Sequence, residues 1–190
     1  QKLGWKIHHY LPHRMDEGFG LSREAVQKCL KENSTSLILA VDCGSTNVST
    51  IDWLNKIGID VIVIDHHQIE GQSPKAQALV NPHVTQDGAH DFRELCSVGL
   101  AFKLLHALVK EGRSRELPEM ISFDLKPYLD LVALGTIADL VPLTGENRIL
   151  TKIGLDRLNR TKRPGLGALK SVSKSTDEIG VYEVGFHLGP

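Results

Sequence analysis

Two short apolar runs in the first half of this sequence each end in side chains that can hold a metal ion. Leu37-Ile-Leu-Ala-Val41 leads into Asp42-Cys43-Gly44-Ser45-Thr46-Asn47, and Val61-Ile-Val-Ile64 leads into Asp65-His66-His67. A carboxylate with adjacent imidazoles and no thiolate suits Mn²⁺, Fe²⁺, Co²⁺ or Zn²⁺ better than a purely hard Mg²⁺ site. Three ionisable groups at the exit of a buried strand are costly to desolvate unless something binds them. In an extended backbone Asp65 and His67 would point one way and His66 the other, so the three need not share one ion. Taken singly, Asp42 reads more readily as a turn or cap residue.

The elements that must position these groups follow from periodicity. Unbroken β-branched runs such as 37–41 and 61–64 suit strands buried on both faces, as in a parallel sheet. Between them Val48, Ile51, Trp53-Leu54 and Ile57 recur at helical spacing, with Gly58 just past the helix end. This is a βαβ unit, whose ligands bind beyond the carboxyl ends of the strands. Neighbouring strands lie about 4.8 Å apart, so Asp42 can share an ion with the second cluster. Ahead of the unit, Ile7 to Leu11 suits a short strand, and Ser22 suits the N-cap of a helix over 23–32. The segment 68–93 reads as a surface loop around one edge strand at Ala78-Leu79-Val80. Val98, Ala101-Phe102, Leu105 and Leu108-Val109 mark a helix ended by Gly112, and helices follow at about 126–138 and at about 146–159, where Ile149-Leu150, Ile153 and Leu158 are expected inward. Arg163-Pro164-Gly165 opens a last short helix. The expected fold class is α/β, a parallel sheet followed by a helical second half.

Composition narrows the class. The formal net charge of −1 gives no global basic field for nucleic acid, so a polyanion would be held by a local patch, by metal ions or by another part of the protein. Three cysteines (Cys29, Cys43, Cys96) in no CxxC spacing argue against a disulfide framework or thiolate zinc site, and for a reducing, cytoplasmic compartment. No apolar run approaches the ~18 residues of a membrane span.

Asp65-His66-His67 after a hydrophobic strand, with Val41-Asp42-Cys43-Gly44 one βα unit earlier, resembles the DHH phosphoesterase superfamily. Further segments resemble its RecJ-type single-strand-specific exonuclease family: Tyr10-Leu-Pro-His-Arg14 with Glu17-Gly-Phe-Gly-Leu21, Val80-Asn-Pro82, and Ser97-Val-Gly-Leu-Ala-Phe-Lys-Leu104. In the same order come Asp130 through Leu143, Glu146-Asn-Arg148, Arg163-Pro-Gly-Leu166 and Gly185-Phe-His-Leu-Gly-Pro190. The resemblance implies metal-dependent 5′→3′ hydrolysis of single-stranded DNA in recombination and repair, with two Mn²⁺ ions or Mg²⁺ in their place. It implies Asp42, His66 and Asp139 as metal ligands, His67 at the scissile phosphate and Asp65 as the support of the two histidines. On spacing alone, Asp139 is a helix-end residue. Implied partners are single-stranded DNA and, for the full-length enzyme, a single-strand-binding protein or helicase, with no membrane.

The family's first motif, Asp-x-Asp-x-x-Gly, should precede the Ile7–Leu11 segment and is not in this sequence. The expectation is therefore a DHH core over 1–158, truncated at both ends, with 159–190 starting the connection to downstream domains, and weak metal binding and little nuclease activity by itself. Two other readings stand beside it. One is a DHH phosphoesterase acting on short oligonucleotides or cyclic dinucleotides, and the other a non-catalytic DHH-derived scaffold, in which the ligands would be eroded.

Other polar residues have blander expected roles. His8 and His9 suit a surface or packing role, and Arg14 suits a surface ion pair better than a phosphate contact. Ser45-Thr46-Asn47 suits capping better than phosphate binding, and Cys43 should point away from Asp42 and pack. Trp5 and Trp53 are expected in the core. Lys162-Arg163 and Lys170 to Lys174 form a modest basic stretch, with solvated charge as the default.

Overall fold

The computed structural model describes residues 5–69, 71–84, 93–173 and 178–190. The chain divides into two units, Gln1–Ala89 and His90–Pro190.

In the first unit, β1 (Leu37–Val41), β2 (Asp60–Ile64) and β3 (Ala78–Val80) form a parallel sheet in the order β1-β2-β3. Helix α1 (Arg23–Glu32) begins where expected, Ser22 Oγ accepting from the Ala25 N–H. Helix α2 (Val48–Lys56) makes the crossover between β1 and β2, and Gly58 at φ 79° turns the chain into β2. Ile51 and Leu54 of α2 join Ala40, Val61 and Val63 in the core, with Leu21 and Val26 from around α1. The two runs differ in a way their composition hides. Val61, Val63 and Ile64 of the central β2 are fully buried, whereas Leu37, Leu39 and Val41 on β1 are exposed. Residues 37, 39 and 41 alternate onto one face of β1 and that face is exposed, whereas Ile38 and Ala40 on the other pack with Ile51 and Leu54.

The expected strand at Ile7–Leu11 is absent. That segment has no regular structure, and it is organised instead by side-chain bonds to the buried Glu17. Tyr10 Oη donates to Glu17 Oε1 at 2.7 Å and the His13 N–H to Oε2 at 2.8 Å. Lys28 Nζ of α1 completes the carboxylate at 2.6 Å. Trp5 is exposed rather than in the core, His8 and His9 are exposed as expected, and Trp53 packs against the core beneath the Arg23 guanidinium. Arg14 lies over the Phe19 ring, 4.5 Å from its centre. The loop expected over 68–93 is seen up to His83-Val84, with β3 inside it; its stretch 85–92 lies outside the described residues.

The second unit contains α3 (Ser97–Ser114), α4 (Pro118–Ile121), a 3₁₀ turn (Lys126–Tyr128), α5 (Leu129–Ala138), α6 (Gly145–Asn159), α7 (Pro164–Val172) and α8 (Val181–Glu183), which runs into a π-helical turn at Val184–Leu188. Helix α3 continues through Gly112, the residue expected to end it. The glycine serves close packing, since a Cβ there would stand 2.4 Å from Met120 Cγ. The inward face of α6 also differs from the expected one. Asn147, Thr151, Gly154 and Leu158 are buried, while Ile149 and Ile153 are exposed. Gly154 explains this, because a Cβ there would lie 2.2 Å from the Leu129 carbonyl oxygen and 2.5 Å from Ala133 Cβ. Close approach of α5 and α6 requires the small side of α6 to face in. Leu166, Ile179, Val184 and Leu188 complete this unit's core around Ile137 and Leu158. Arg163 is not solvated charge: it binds Asp130 Oδ2 at 2.8 Å and the Pro127 carbonyl at 2.9 Å. Lys174 lies outside the described residues. Among the described residues no helix is long and apolar enough to cross a membrane, and all three cysteines are free.

Candidate metal centre

The register of the sheet brings the three strand exits level. Val41 pairs with Ile64 and Ile64 with Val80, so the next residues along are Asp42, Asp65 and Asn81. Two further backbone bonds carry the ladder past the strand ends: the Asp42 N–H donates to the Ile64 carbonyl at 2.9 Å, and the Asp65 N–H to the Val80 carbonyl at 3.0 Å. Asp42 then takes a left-handed conformation, φ 64°, which aspartate tolerates better than most residues and which marks functional turns. Gly44 follows at φ 110°, where a Cβ would press to 3.1 Å against both Val63 methyls. The turn that leaves β1 therefore needs glycine at 44 to lie down on β2.

Asp65 is the buried pivot of the second exit, with 2% of its surface exposed. Its Oδ2 accepts from the Ser45 N–H at 3.1 Å. Its Oδ1 accepts from the His66 and His67 N–H groups at 2.8 and 3.3 Å. These local bonds wrap the backbone around the carboxylate. The extended conformation ends there, so His66 and His67 do not point to opposite sides: their ring centres lie 4.7 Å apart. His67 Nδ1 stands 2.6 Å from Asp65 Oδ1. With the carboxylate ionised, Nδ1 carries the proton and Nε2 is left as the lone-pair nitrogen. Burial works to raise the Asp65 pKa, but the bonds from His67 and Ser45 outweigh it and hold the carboxyl below its ordinary value.

Across the exits, His66 Nε2 lies 3.5 Å from Asp42 Oδ1. Asp42, His66 and His67 each offer one donor atom, and all three atoms lie within 4.8 Å of one another. At metal–ligand bonds of about 2.0–2.2 Å, donors on one ion stand at most about 4.4 Å apart, so this trio needs only small adjustments to enclose an ion. The donor set is oxygen and nitrogen. Cys43 packs against the core, and burial, with Asp65 and Asp42 nearby, pushes its thiol up to about 11. Residues and geometry fit a divalent transition ion.

Asp42, Asp65, His66 and His67, singled out in the sequence, thus come together at the carboxyl edge of the sheet. His67, expected at the scissile phosphate, also offers a donor to the trio. Asp139 belongs to the second unit, where it caps α5 with its N–H on the Gly135 carbonyl at 2.9 Å. The expected capping by Ser45-Thr46-Asn47 is not observed. Asn47 makes no side-chain cap bond to α2, and Ser45 is fully buried with its N–H committed to Asp65. In the sequence Asn81 stands out only as part of Val80-Asn-Pro82. Its position just past a third short apolar run, like Asp42 and Asp65 past theirs, was the available signal.

The model of the DHH family, N-terminal domain, matches residues 1–136. This chain belongs to the DHH family. It is 42% identical to the single-stranded-DNA-specific exonuclease RecJ of Bacillus subtilis (strain 168), covering 100% of this chain and 22% of that protein. It is 37% identical to the RecJ of Escherichia coli (strain K12), covering 97% of this chain and 32% of that protein. The chain thus spans about a fifth to a third of the length of the curated RecJ relatives it matches. Its structure superimposes on a crystal structure of exonuclease RecJ bound to manganese with a TM-score of 0.78 at 35% identity, covering 96% of this chain and 43% of that one. On RecJ from Thermus thermophilus in complex with Mn²⁺ the TM-score is 0.70 at 35% identity, over 88% of this chain and 24% of that one.

Proposed function

We propose that this chain is the DHH domain of a single-stranded-DNA-specific exonuclease that hydrolyses phosphodiester bonds in the 5′→3′ direction. The observation that carries the proposal is the convergence of Asp42, His66 and His67 within 4.8 Å at the sheet's carboxyl edge. Similarity to RecJ proteins, including manganese-bound structures, supports the substrate class and the ion. Mn²⁺ is the proposed ion, with Mg²⁺ as its substitute.

In this reading Asp42 and His66 ligate, Asp139 is a further ligand by its match to the family motif, and His67 faces the scissile phosphate. Two bound divalent ions supply Lewis acidity and charge neutralisation at the phosphate. Asp65 keeps the His67 proton on Nδ1, so that Nε2 faces the reaction. With the ions carrying the electrostatic load, a chain of net charge −1 can handle a polyanion without a basic surface. Recombination and repair, a cytoplasmic location and a single-strand-binding protein or helicase partner belong to the same proposal. The near approach of the trio favours an enzyme over a scaffold.

The test, made on the full-length protein because this chain by itself is expected to bind metal weakly and cleave little, is Mn²⁺ titration by calorimetry together with cleavage of 5′- and 3′-labelled single strands, beside Asp42→Ala. Saturable Mn²⁺ binding lost in the variant, with release of 5′-terminal nucleotides, is the expected result. Cleavage that is unaffected by Asp42→Ala would overturn the assignment.

A further inference from the structure

Asn81 is 1% exposed and follows β3, level with Asp65 in the neighbouring strand. Pro82 behind it restricts its backbone to extended conformations. Its carboxamide is bonded at both ends. Nδ2 donates to Ser45 Oγ at 2.8 Å and to the His67 carbonyl at 2.8 Å, and Oδ1 accepts from the His83 N–H at 2.9 Å. The orientation of the amide is fixed by these partners, since a flipped amide would set oxygen against the His67 carbonyl.

Of the partners of Asn81, Ser45 and His67 also bond Asp65, through the Ser45 N–H and His67 Nδ1. The four residues therefore close a ring, Asn81 to Ser45 to Asp65 to His67 and back to Asn81. Its links tie together all three strand exits: Ser45 from the turn after β1, Asp65 and His67 after β2, and Asn81 after β3. His67 is held at both ends, its ring by Asp65 and its backbone by Asn81. Ser45, Asp65 and Asn81 are buried, and polar groups so placed are costly to leave unpaired.

We propose that Asn81 is a positioning residue for the metal centre, acting through His67 and Ser45 to fix the Asp65 carboxylate and the single tautomer of His67. The proposal deepens the phosphoesterase reading and rests on it for the role of His67. Asn81 does not itself touch an ion or substrate. Its work is to hold the backbone of the Asp-His-His segment against the first turn, so that the donor atoms stand in place before an ion arrives. Residues that orient metal ligands in this way typically cost about 10–100-fold in metal affinity when lost.

The experiment compares the protein with Asn81→Ala, Asn81→Asp and Ser45→Ala. Three quantities are measured: the Mn²⁺ dissociation constant by calorimetry, the thermal midpoint without metal, and the imidazole ¹⁵N signature of His67 without metal. Asn81→Asp keeps the acceptor for His83 but sets an oxygen against the His67 carbonyl, so it disturbs the ring at nearly constant volume. The expected result is a Kd raised about 10–100-fold in Asn81→Ala and Asn81→Asp, with His67 moving from one Nδ1–H tautomer to a mixture. Ser45→Ala is expected to move both in the same direction. A folded Asn81 variant with a Kd within about threefold of the parent and an unchanged His67 signature would overturn the proposal. If Asn81→Ala does not fold, Asn81→Asp and Ser45→Ala decide it by the same criteria. A parent protein that fails to bind Mn²⁺ would sink the phosphoesterase reading instead, and the His67 signature would still decide the role of Asn81.

Discussion

Asp42 Oδ1 stands 3.5 Å from His66 Nε2, although the two residues leave different strands and only the parallel register makes them neighbours. Asp42 reaches that position from a left-handed backbone, φ 64°. Charge and conformation can be separated there, because asparagine also tolerates this region whereas for alanine it costs about 1–2 kcal/mol. Asp42→Asn is expected to keep the thermal midpoint of the parent while weakening Mn²⁺ by at least about 10–100-fold. Asp42→Ala should weaken Mn²⁺ equally and also lower the midpoint. Calorimetry and thermal melts on both variants check this, and retained affinity in Asp42→Asn would remove the residue from the ligand set.

Asp65 accepts bonds from three backbone or ring donors of its own segment and one from the Ser45 N–H. Asp65→Ala leaves the buried Ser45 donor unpaired, at a cost of about 1–3 kcal/mol. It also releases the His67 ring. Lower stability in denaturant melts and loss of strand cleavage are expected together. Cleavage equal to the parent's would show that the Asp-His-His segment is not the active centre.

The Glu17 carboxyl is held down to about 2 by its bonds from Lys28, Tyr10 and the His13 N–H. An unfolded glutamate titrates near about 4.3. A depressed folded-state value means that the stabilisation is fully present above the unfolded pKa and is lost as pH falls from about 4.3 towards 2. Urea melts should therefore place the midpoint of Glu17→Gln below that of the parent at pH 7, with the gap shrinking steadily below about pH 4.3. A gap that stays constant down to about pH 2.5 would show that the variant acts through packing alone.

Two helical glycines should respond oppositely to alanine. At Gly154 of α6 a Cβ meets the Leu129 carbonyl oxygen at 2.2 Å, backbone that can move only if the helices part. Gly154→Ala is expected to destabilise by about 1–3 kcal/mol. At Gly99 of α3 the nearest atom is the end of the Leu95 side chain, at 3.1 Å. There the gain in helix propensity, up to about 1 kcal/mol, offsets a small shift of that methyl. Thermal denaturation of the two variants separates the cases, and equal midpoints would mean that α5 and α6 are not in backbone contact.

Much of the first unit was legible in the linear order of residues. A five-residue apolar run, a helical repeat closed by Gly58 and a second run ending in Asp-His-His can satisfy their backbone groups and bury their side chains as βαβ. Strand, helix and site residues follow from that local consistency. The same logic failed at Ile7–Leu11, where a short stretch closed by Pro12 suits a strand but Glu17 collects the segment's bonds. It failed also on α6, where Ile149 and Ile153 are outside because Gly154 sets how closely the helices approach.

The sequence by itself determined which side chains could hold a metal: two carboxylates and two imidazoles at the ends of apolar runs are readable without coordinates. What only the tertiary structure decided is how they meet. Parallel register sets Asp42 beside His66, the bonds to Asp65 fold both imidazoles to one side, and Asn81 closes the ring from a third strand. Those relations depend on hydrogen bonds between segments far apart in the chain, and residue type and local spacing carry no record of which distant partner a buried polar group will find.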